Sequence, residues 1–412
     1  MRRAVAAATL GNALEFYDFV AFAFFAVQIG KAFFPSGDPF LSLMGSLATF
    51  GAGFVSRPLG AWVLGGYADR HGRKPAMLAS MLLMGGGIAL LALTPSYQAI
   101  GLAAPVLAVI ARLIQGFALG GEIGSATTYL VEAADEHRRG LVISLQGASQ
   151  AVAALTAALV GLALSLVLSE AALAAYGWRI ALLLGTVIVP FALIVRRALP
   201  ETLRQVPIAA SEAPASHRRT VLCGLAMIGA GTTGTYVFTY MATFGQNTLK
   251  FPPSVALTVQ ALIGLMQVIA TLLGGWLSDR FGRRPMLIWP ASAFVCAVVP
   301  CFAWIDAARD ATTFVTAMVL LASLSFLTQA SIYATISEGL PTRIRARGFA
   351  LIYALPVALI GGATQLVVTW LLEVTGTPMA LAWYLTGTSL IGLVAMILVP
   401  ETAPVRRSFS RA

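Results

Sequence analysis

Long apolar runs alternate with short polar breaks from one end of the chain to the other. Twelve runs stand out, at about residues 9–33, 42–67, 76–93, 101–131, 140–168, 178–198, 219–247, 254–277, 286–305, 312–338, 348–373 and 380–399. A helix needs about 20 apolar residues to cross a bilayer, and most runs reach or exceed that length. The breaks between them are too short for a soluble domain. The pattern therefore predicts an all-α integral membrane protein with twelve transmembrane helices.

Composition agrees with the pattern. Of 412 residues, 58% are hydrophobic and 11% charged, against about 25% charged in soluble domains, and the mean hydropathy is +0.84. The net charge of +10 is the first feature that could suggest nucleic acid. Its distribution argues against that reading. Twenty-one of the 27 Lys and Arg fall at the termini or in alternate connections, in clusters such as Arg70, Arg73, Lys74 and Arg280, Arg283, Arg284. That alternation is the positive-inside pattern, and it predicts both termini in the cytoplasm. The first apolar run is too long for a signal-peptide core and lacks a clear small-residue cleavage site, so no cleavable signal is expected.

Two cations break the rule. Arg57 and Arg112 lie inside predicted spans. Arg57 is twelve residues before Asp69, about 18 Å along a helix, which puts it near the middle of the hydrocarbon. An arginine there costs about 3 kcal/mol and normally faces a partner or a water-filled cavity. The acidic residues in the same zone are Glu15 and Asp18 in the first span and Glu122 in the fourth. Glu15 and Asp18, three apart, share a helix face. Either the charges form a structural ion pair, or they handle protons and an anionic solute. Their clustering in one half favours function. Asp18 and Arg112, at comparable depth, are expected to line one cavity, close enough to pair.

The chain also repeats itself. "GGYADRHGRKP" (Gly65–Pro75) returns as "GGWLSDRFGRRP" (Gly274–Pro285), with Asp279 lying 210 residues after Asp69. "LPET" at 199–202 returns as "VPET" at 399–402, and Glu132 before Arg139-Gly140 parallels Glu338 before Arg347-Gly348. This predicts two pseudo-symmetric six-helix bundles, 1–198 and 219–412, joined by a linker at 199–218. The substrate site is then expected at the midplane between them. In the repeated loop, Gly65 allows close helix approach and Pro75 suits a first helical turn. Asp69 can pair with Arg70 or Arg73, or accept from an exposed helix N-terminus. Topology alone requires only Lys and Arg, so the repeated Asp favours a gate over a pure orientation signal.

The motif Gly-x-x-x-Asp-Arg-x-Gly-Arg-Lys/Arg, present twice, resembles the signature loop of the major facilitator superfamily. "RLIQGFALGGE" (Arg112–Glu122) resembles the fourth-span Arg-x-x-Gln-Gly motif of its proton-coupled members, which adds Gln115 to the candidate site. With "GNALEFYDF" (Gly11–Phe19) and Ser56–Lys74, the whole chain is similar to the metabolite–proton symporter family of citrate, tricarballylate, 2-oxoglutarate, shikimate and proline/betaine importers. Residues 97–117 and 232–246 look most like its citrate and tricarballylate branch. The resemblance implies alternating access and the proton as coupling ion, with no other cofactor. It implies that Asp69 locks the cytoplasmic side, with Asp279 its counterpart. Arg70, Arg73, Glu132, Arg280, Arg283 and Glu338 would share those networks. It further implies Asp18 as carrier acid with Arg112 as partner, and Glu15 or Glu122 as second candidates.

An anionic substrate needs donors and an uncompensated cation; Arg57 and Arg112 are the only deep cations. Polar residues at span depth complete the candidates: Gln146 and Gln150 in the fifth span, then Thr235, Tyr236, Thr239, Tyr240, Gln267, Gln329 and Tyr333. Each could equally serve helix packing. "GAGTTG" (Gly229–Gly234) lies inside the seventh run without a preceding strand, which argues against a dinucleotide site. It is expected either to loosen that helix at the cavity or to let helices pack closely. Cys223, Cys296 and Cys301 show no metal spacing and read as small buried hydrophobes.

The sequence thus predicts a proton-coupled importer of a small organic carboxylate, a citrate- or tricarballylate-like di- or tricarboxylate. Its expected setting is the bacterial inner membrane, in contact with lipid, acting as a monomer on a small organic anion. A symporter of a zwitterion such as proline or betaine is the alternative. A drug–proton antiporter is disfavoured because the fifth span lacks Gly-x-x-x-Gly-Pro.

Overall fold

The computed structural model describes residues 13–14, 16–71, 73–120, 134–191, 217–341 and 345–403, and among these there is no strand. Nine described helices are long and apolar enough to cross a bilayer. A tenth crossing is a bent pair, Phe16–Phe24 and Ala26–Phe33, and the shorter apolar helices Leu78–Leu93 and Ala103–Leu119 fall within the third and fourth predicted runs.

In chain order α1 is that bent pair. The second, α2, is Pro39–Val55 continued after a turn at Ser56 by Arg57–His71. Then come α3 (Arg73–Leu93), α4 (Ala103–Leu119), α5 (Arg139–Val167) and α6 (Glu170–Phe191). The second six are α7 (Arg218–Thr248), α8 (Pro253–Phe281), α9 (Arg283–Ala308), α10 (Ala311–Gly339), α11 (Arg345–Thr375) and α12 (Met379–Leu398).

Local chemistry sets several boundaries. Asp38 caps α2 by accepting from the Phe40 N–H at 2.9 Å, ahead of Pro39 in the first turn. Asp310 caps α10 by accepting from the Thr313 N–H at 2.9 Å. Side-chain oxygens at these positions satisfy orphan donors of the first turn. The α6 helix starts eight residues before the predicted run, because Ser169 caps it and a π-turn at Leu173–Gly177 carries the chain into the apolar part. In α11 Pro356 precedes a π-bulge at Val357–Gly361, as expected where a helix absorbs a missing N–H.

Helices α1–α4 and α6 pack chiefly within the first six, and α7 and α9–α12 within the second, whereas α5 packs mainly against α8 of the other set. The two sets meet along α5–α8, α2–α11 and α5–α10. The α5–α8 seam is closed by small residues. A Cβ on Gly140 would stand 2.6 Å from the Gly275 carbonyl oxygen, and one on Gly264 would stand 2.9 Å from the Leu155 nitrogen. At the α2–α11 seam a Cβ on Gly51 would reach the Gly362 carbonyl oxygen at 2.9 Å. Outward faces carry Trp62, Trp289, Val167 and Leu351, each at least 70% exposed, the apolar surface a bilayer would cover.

Candidate functional site

Asp18 on α1 and Arg112 on α4 are both fully buried, with Asp18 Oδ2 3.6 Å from Arg112 Nη1. The same Nη1 donates to Gln115 Oε1 at 2.6 Å. Neither carboxylate oxygen of Asp18 accepts a hydrogen bond, and Nε and Nη2 of Arg112 make none. Close contact of α2 with α4 makes this geometry possible: a Cβ on Gly53 would meet the Arg112 carbonyl oxygen at 3.2 Å. Arg57, one turn further along α2, is 7% exposed. Among the described residues no carboxylate pairs with it. Its guanidinium lies over Phe54 at 4.1 Å and Phe19 at 4.7 Å, beside the Tyr236 hydroxyl. Arg112 lies 4.7 Å from the same Phe19 ring and 4.6 Å from Phe22. Phe19 thus separates two like charges and contacts both by its π-face. The described side chains of this centre carry two positive charges and one negative.

A cavity of about 100 Å³ opens beside the centre, with Gln150, Tyr236, Gln329, Tyr333 and Tyr353 among its polar walls. A smaller one of about 40 Å³ shares Gln150, Thr235 and Tyr236 and adds Thr239 and Gln267. Tyr353 faces both Tyr333 and Gln150, while Gln329 accepts from Thr271 at 3.1 Å. This polar belt spans α5, α8, α10 and α11, and so joins the two bundles. Arg57, Asp18 and Arg112 are not among the lining residues. The pair expected to line the cavity is instead sealed beneath an aromatic layer of Phe19, Phe22, Phe50 and Phe54, and Tyr236 stands between Arg57 and the cavity. Tyr240 is buried facing Thr369 on α11, and Gln146 is buried on α5; neither lines these cavities.

The "GAGTTG" stretch is continuous α-helix, with its Ala230, Gly231, Thr232 and Gly234, and Thr235 just after it, on the cavity wall. Loosening occurs further along, in a π-turn at Phe244–Thr248. In the glycine-bearing part of α7, Thr233 and Thr235 donate to the carbonyls of Gly229 and Gly231, which occupies those hydroxyl protons. Cys223 and Cys301 are buried, whereas Cys296 is exposed on α9 rather than buried.

The end of the molecule that carries the repeated loop holds a second charged assembly. Asp279 accepts from the N–H groups of Gly140 and Leu141 at 2.8 and 2.9 Å, in the first turn of α5 across the seam. It also pairs with Arg283 at 2.8 Å. Both roles offered by the motif, ion pair and helix-terminus acceptor, are thus filled at once. Arg283, fully buried, pairs in turn with Glu338 at 2.9 Å, and Glu338 accepts from the Thr402 hydroxyl at 2.7 Å. Glu401 receives the N–H groups of Arg283 and Arg284 at the start of α9. Arg280 and Arg70 are exposed, Arg280 over Trp276, and Arg280 does not join this network. Glu15, Glu122 and Glu132 lie outside the described residues; Gly65, Asp69 and Arg73 are described as helix backbone only. At the opposite end Gln28 of α1 donates to Gln246 of α7 at 2.8 Å.

Sequence reasoning missed Tyr353, the four phenylalanines around the arginines, and Glu401. Only Glu401 had a signal, the recurrence of Pro-Glu-Thr at both bundle ends.

Two six-helix bundles around a buried ion pair and a polar cavity define a membrane carrier of the alternating-access type. The chain belongs to the Major Facilitator Superfamily, whose description matches residues 8–363. It is 38% identical to the citrate-proton symporter of Klebsiella pneumoniae, over 95% of this chain and 90% of that one. It is 34% identical to the alpha-ketoglutarate permease of Escherichia coli strain K12, over 96% and 93%. Identity to the proline/betaine transporter of Escherichia coli strain K12 is 30%, over 98% and 84%. Among solved structures a D-xylose-proton symporter superposes with a TM-score of 0.78 at 18% identity, covering 97% of this chain and 98% of that one. These relatives are transporters, and the chain is a carrier rather than an enzyme.

Proposed function

We propose that this protein imports a small organic carboxylate, citrate- or tricarballylate-like, together with protons. It would act as a monomer in a bacterial inner membrane, with both termini and the repeated loop on the cytoplasmic side. We assign residues 1–198 and 219–412 to the two moving bundles and 199–218 to their linker. The observation that carries the reading is the centre itself: Asp18 against Arg112, with Arg57 meeting Tyr236 and, among the described residues, no carboxylate.

Protonating Asp18 removes the only described negative charge of the centre and releases Arg112. Two guanidinium groups are then available to an anion that enters past Tyr236, while Gln150, Gln329, Tyr333 and Tyr353 supply donors. Binding and protonation favour one another because each relieves the charge the other leaves, which is thermodynamic coupling between two sites. The loaded centre is nearly neutral, so the bundles can rock around it and close it off from water at lower cost. Asp279, Arg283 and Glu338 hold the cytoplasmic ends of α5 and α8 together until that swing. Among the described residues the larger cavity presents no carboxylate to the ammonium of a zwitterion, which favours an anion over proline or betaine.

The test is uptake by proteoliposomes loaded with a pH-sensitive dye and challenged with citrate, tricarballylate, 2-oxoglutarate, proline and betaine. Acidification with di- or tricarboxylates alone supports the reading. A response to proline or betaine alone supports the zwitterion, and no response to any solute rejects proton symport of this class.

A further inference from the structure

The larger cavity does not end at the polar belt. It continues away from the bundle interface into the C-terminal bundle, between α7, α9, α10 and α12, where Ala230, Gly231, Ala291, Phe294, Ser389 and Met396 line it. This lobe has small residues at its sides and Phe294 and Met396 as bulk. Gly231 is exposed, and a Cβ there would meet no atom within 4 Å, so a larger side chain has room to enter from α7. The nearby Thr235 hydroxyl donates its proton to the Gly231 carbonyl. Among the described residues no charged side chain lines the lobe.

Among the described residues, side chains occupy the corresponding part of the other bundle around Tyr17 and Gly185, between α1, α3 and α6. Tyr17 reaches across to donate to the Ala181 carbonyl at 2.9 Å. A Cβ on Gly185 would touch Asp18, Tyr17 and Ile88, each at 3.4 Å. Among the described residues the lobe is thus a feature of the C-terminal half. A site with donors at one end and an uncharged, largely apolar recess at the other matches a ligand with the same polarity.

We infer that the lobe is a subsite for a hydrocarbon arm, so that the carrier binds carboxylates bearing an alkyl substituent more tightly than the bare acids. This rests on the carboxylate reading above. The carboxylates would face Tyr236 and the belt, and the arm would lie against Gly231, Phe294 and Ser389.

The test is a series of succinate, methylsuccinate, ethylsuccinate and propylsuccinate, read both as thermal stabilisation of the purified protein and as competition with tricarballylate uptake. Each buried methylene should tighten binding about fourfold. Gly231→Leu and Ser389→Leu enter the lobe from opposite walls, α7 and α12. In either variant the gain per methylene should fall to about twofold or less. A flat series in the unmodified protein overturns the inference, as does a series left intact by both variants, which would assign the lobe to acyl chains of the bilayer. Retention of the series in stabilisation with no uptake of any carboxylate would sustain the lobe and overturn the transport reading alone.

Discussion

At the scale of single residues the buried charges dominate. Removing one partner of a buried pair typically costs 3–5 kcal/mol, because the other charge is left uncompensated. Arg112→Gln should therefore lower thermal stability in detergent and abolish uptake, since Asp18 has no other described partner. The double variant Asp18→Asn, Arg112→Gln should recover most of the stability and none of the uphill transport. A double variant no more stable than Arg112→Gln would mean that the pair is not the structural unit described. Arg57→Ala is a different case, because its guanidinium is met by rings and by Tyr236 rather than by a carboxylate. It should leave expression near normal and weaken carboxylate uptake at least tenfold; unchanged affinity and rate would remove Arg57 from the site. The proximity of Asp18 and Arg112 was legible in the sequence because ionised groups stand out sharply in apolar runs. The aromatic layer over them was not, because phenylalanine in such a run offers no contrast. Tyr353 was missed for a related reason: its importance lies in bridging to Gln150 of the other bundle, and a single hydroxyl does not report its partner.

At the scale of elements the seam between α5 and α8 is where small changes should have large effects. Asp279 caps the first turn of α5 from another helix, and hydrogen bonds to a charged group contribute about 1.5–3 kcal/mol. Asp279→Asn should shift the carrier about tenfold or more toward opening at the loop-bearing end. The measurement is alkylation of a cysteine placed at Ser144, which faces Gly275 across the seam; an unchanged rate would show that the network does not hold the end closed. The spans were legible because a bilayer demands uninterrupted apolar length, and the repeat was legible because its charged loops recur at a fixed offset. The 73° bend of α1 was not. No proline or glycine stands between Phe16 and Gln28 to mark it. The π-turn of α7 likewise sits beyond the glycines that suggested loosening.

At the scale of the whole molecule, two bundles are joined by polar and charged contacts, and the proposed function has a proton and an anion tip their balance. The repeat made the two-bundle plan legible, but not how far each seam is closed, which depends on packing between residues more than a hundred positions apart. The proposed coupling requires that substrate occupancy and protonation be linked through Asp18. Asp18→Asn keeps the size of the side chain, imitates the protonated form and has no proton to release. Proteoliposomes carrying this variant should still exchange internal for external labelled citrate or tricarballylate. When an inwardly directed proton gradient is imposed they should fail to accumulate the label above equilibrium, whereas the unmodified protein should concentrate it. Accumulation by the variant at a level comparable to the unmodified protein would contradict the assignment of Asp18 as the coupling acid.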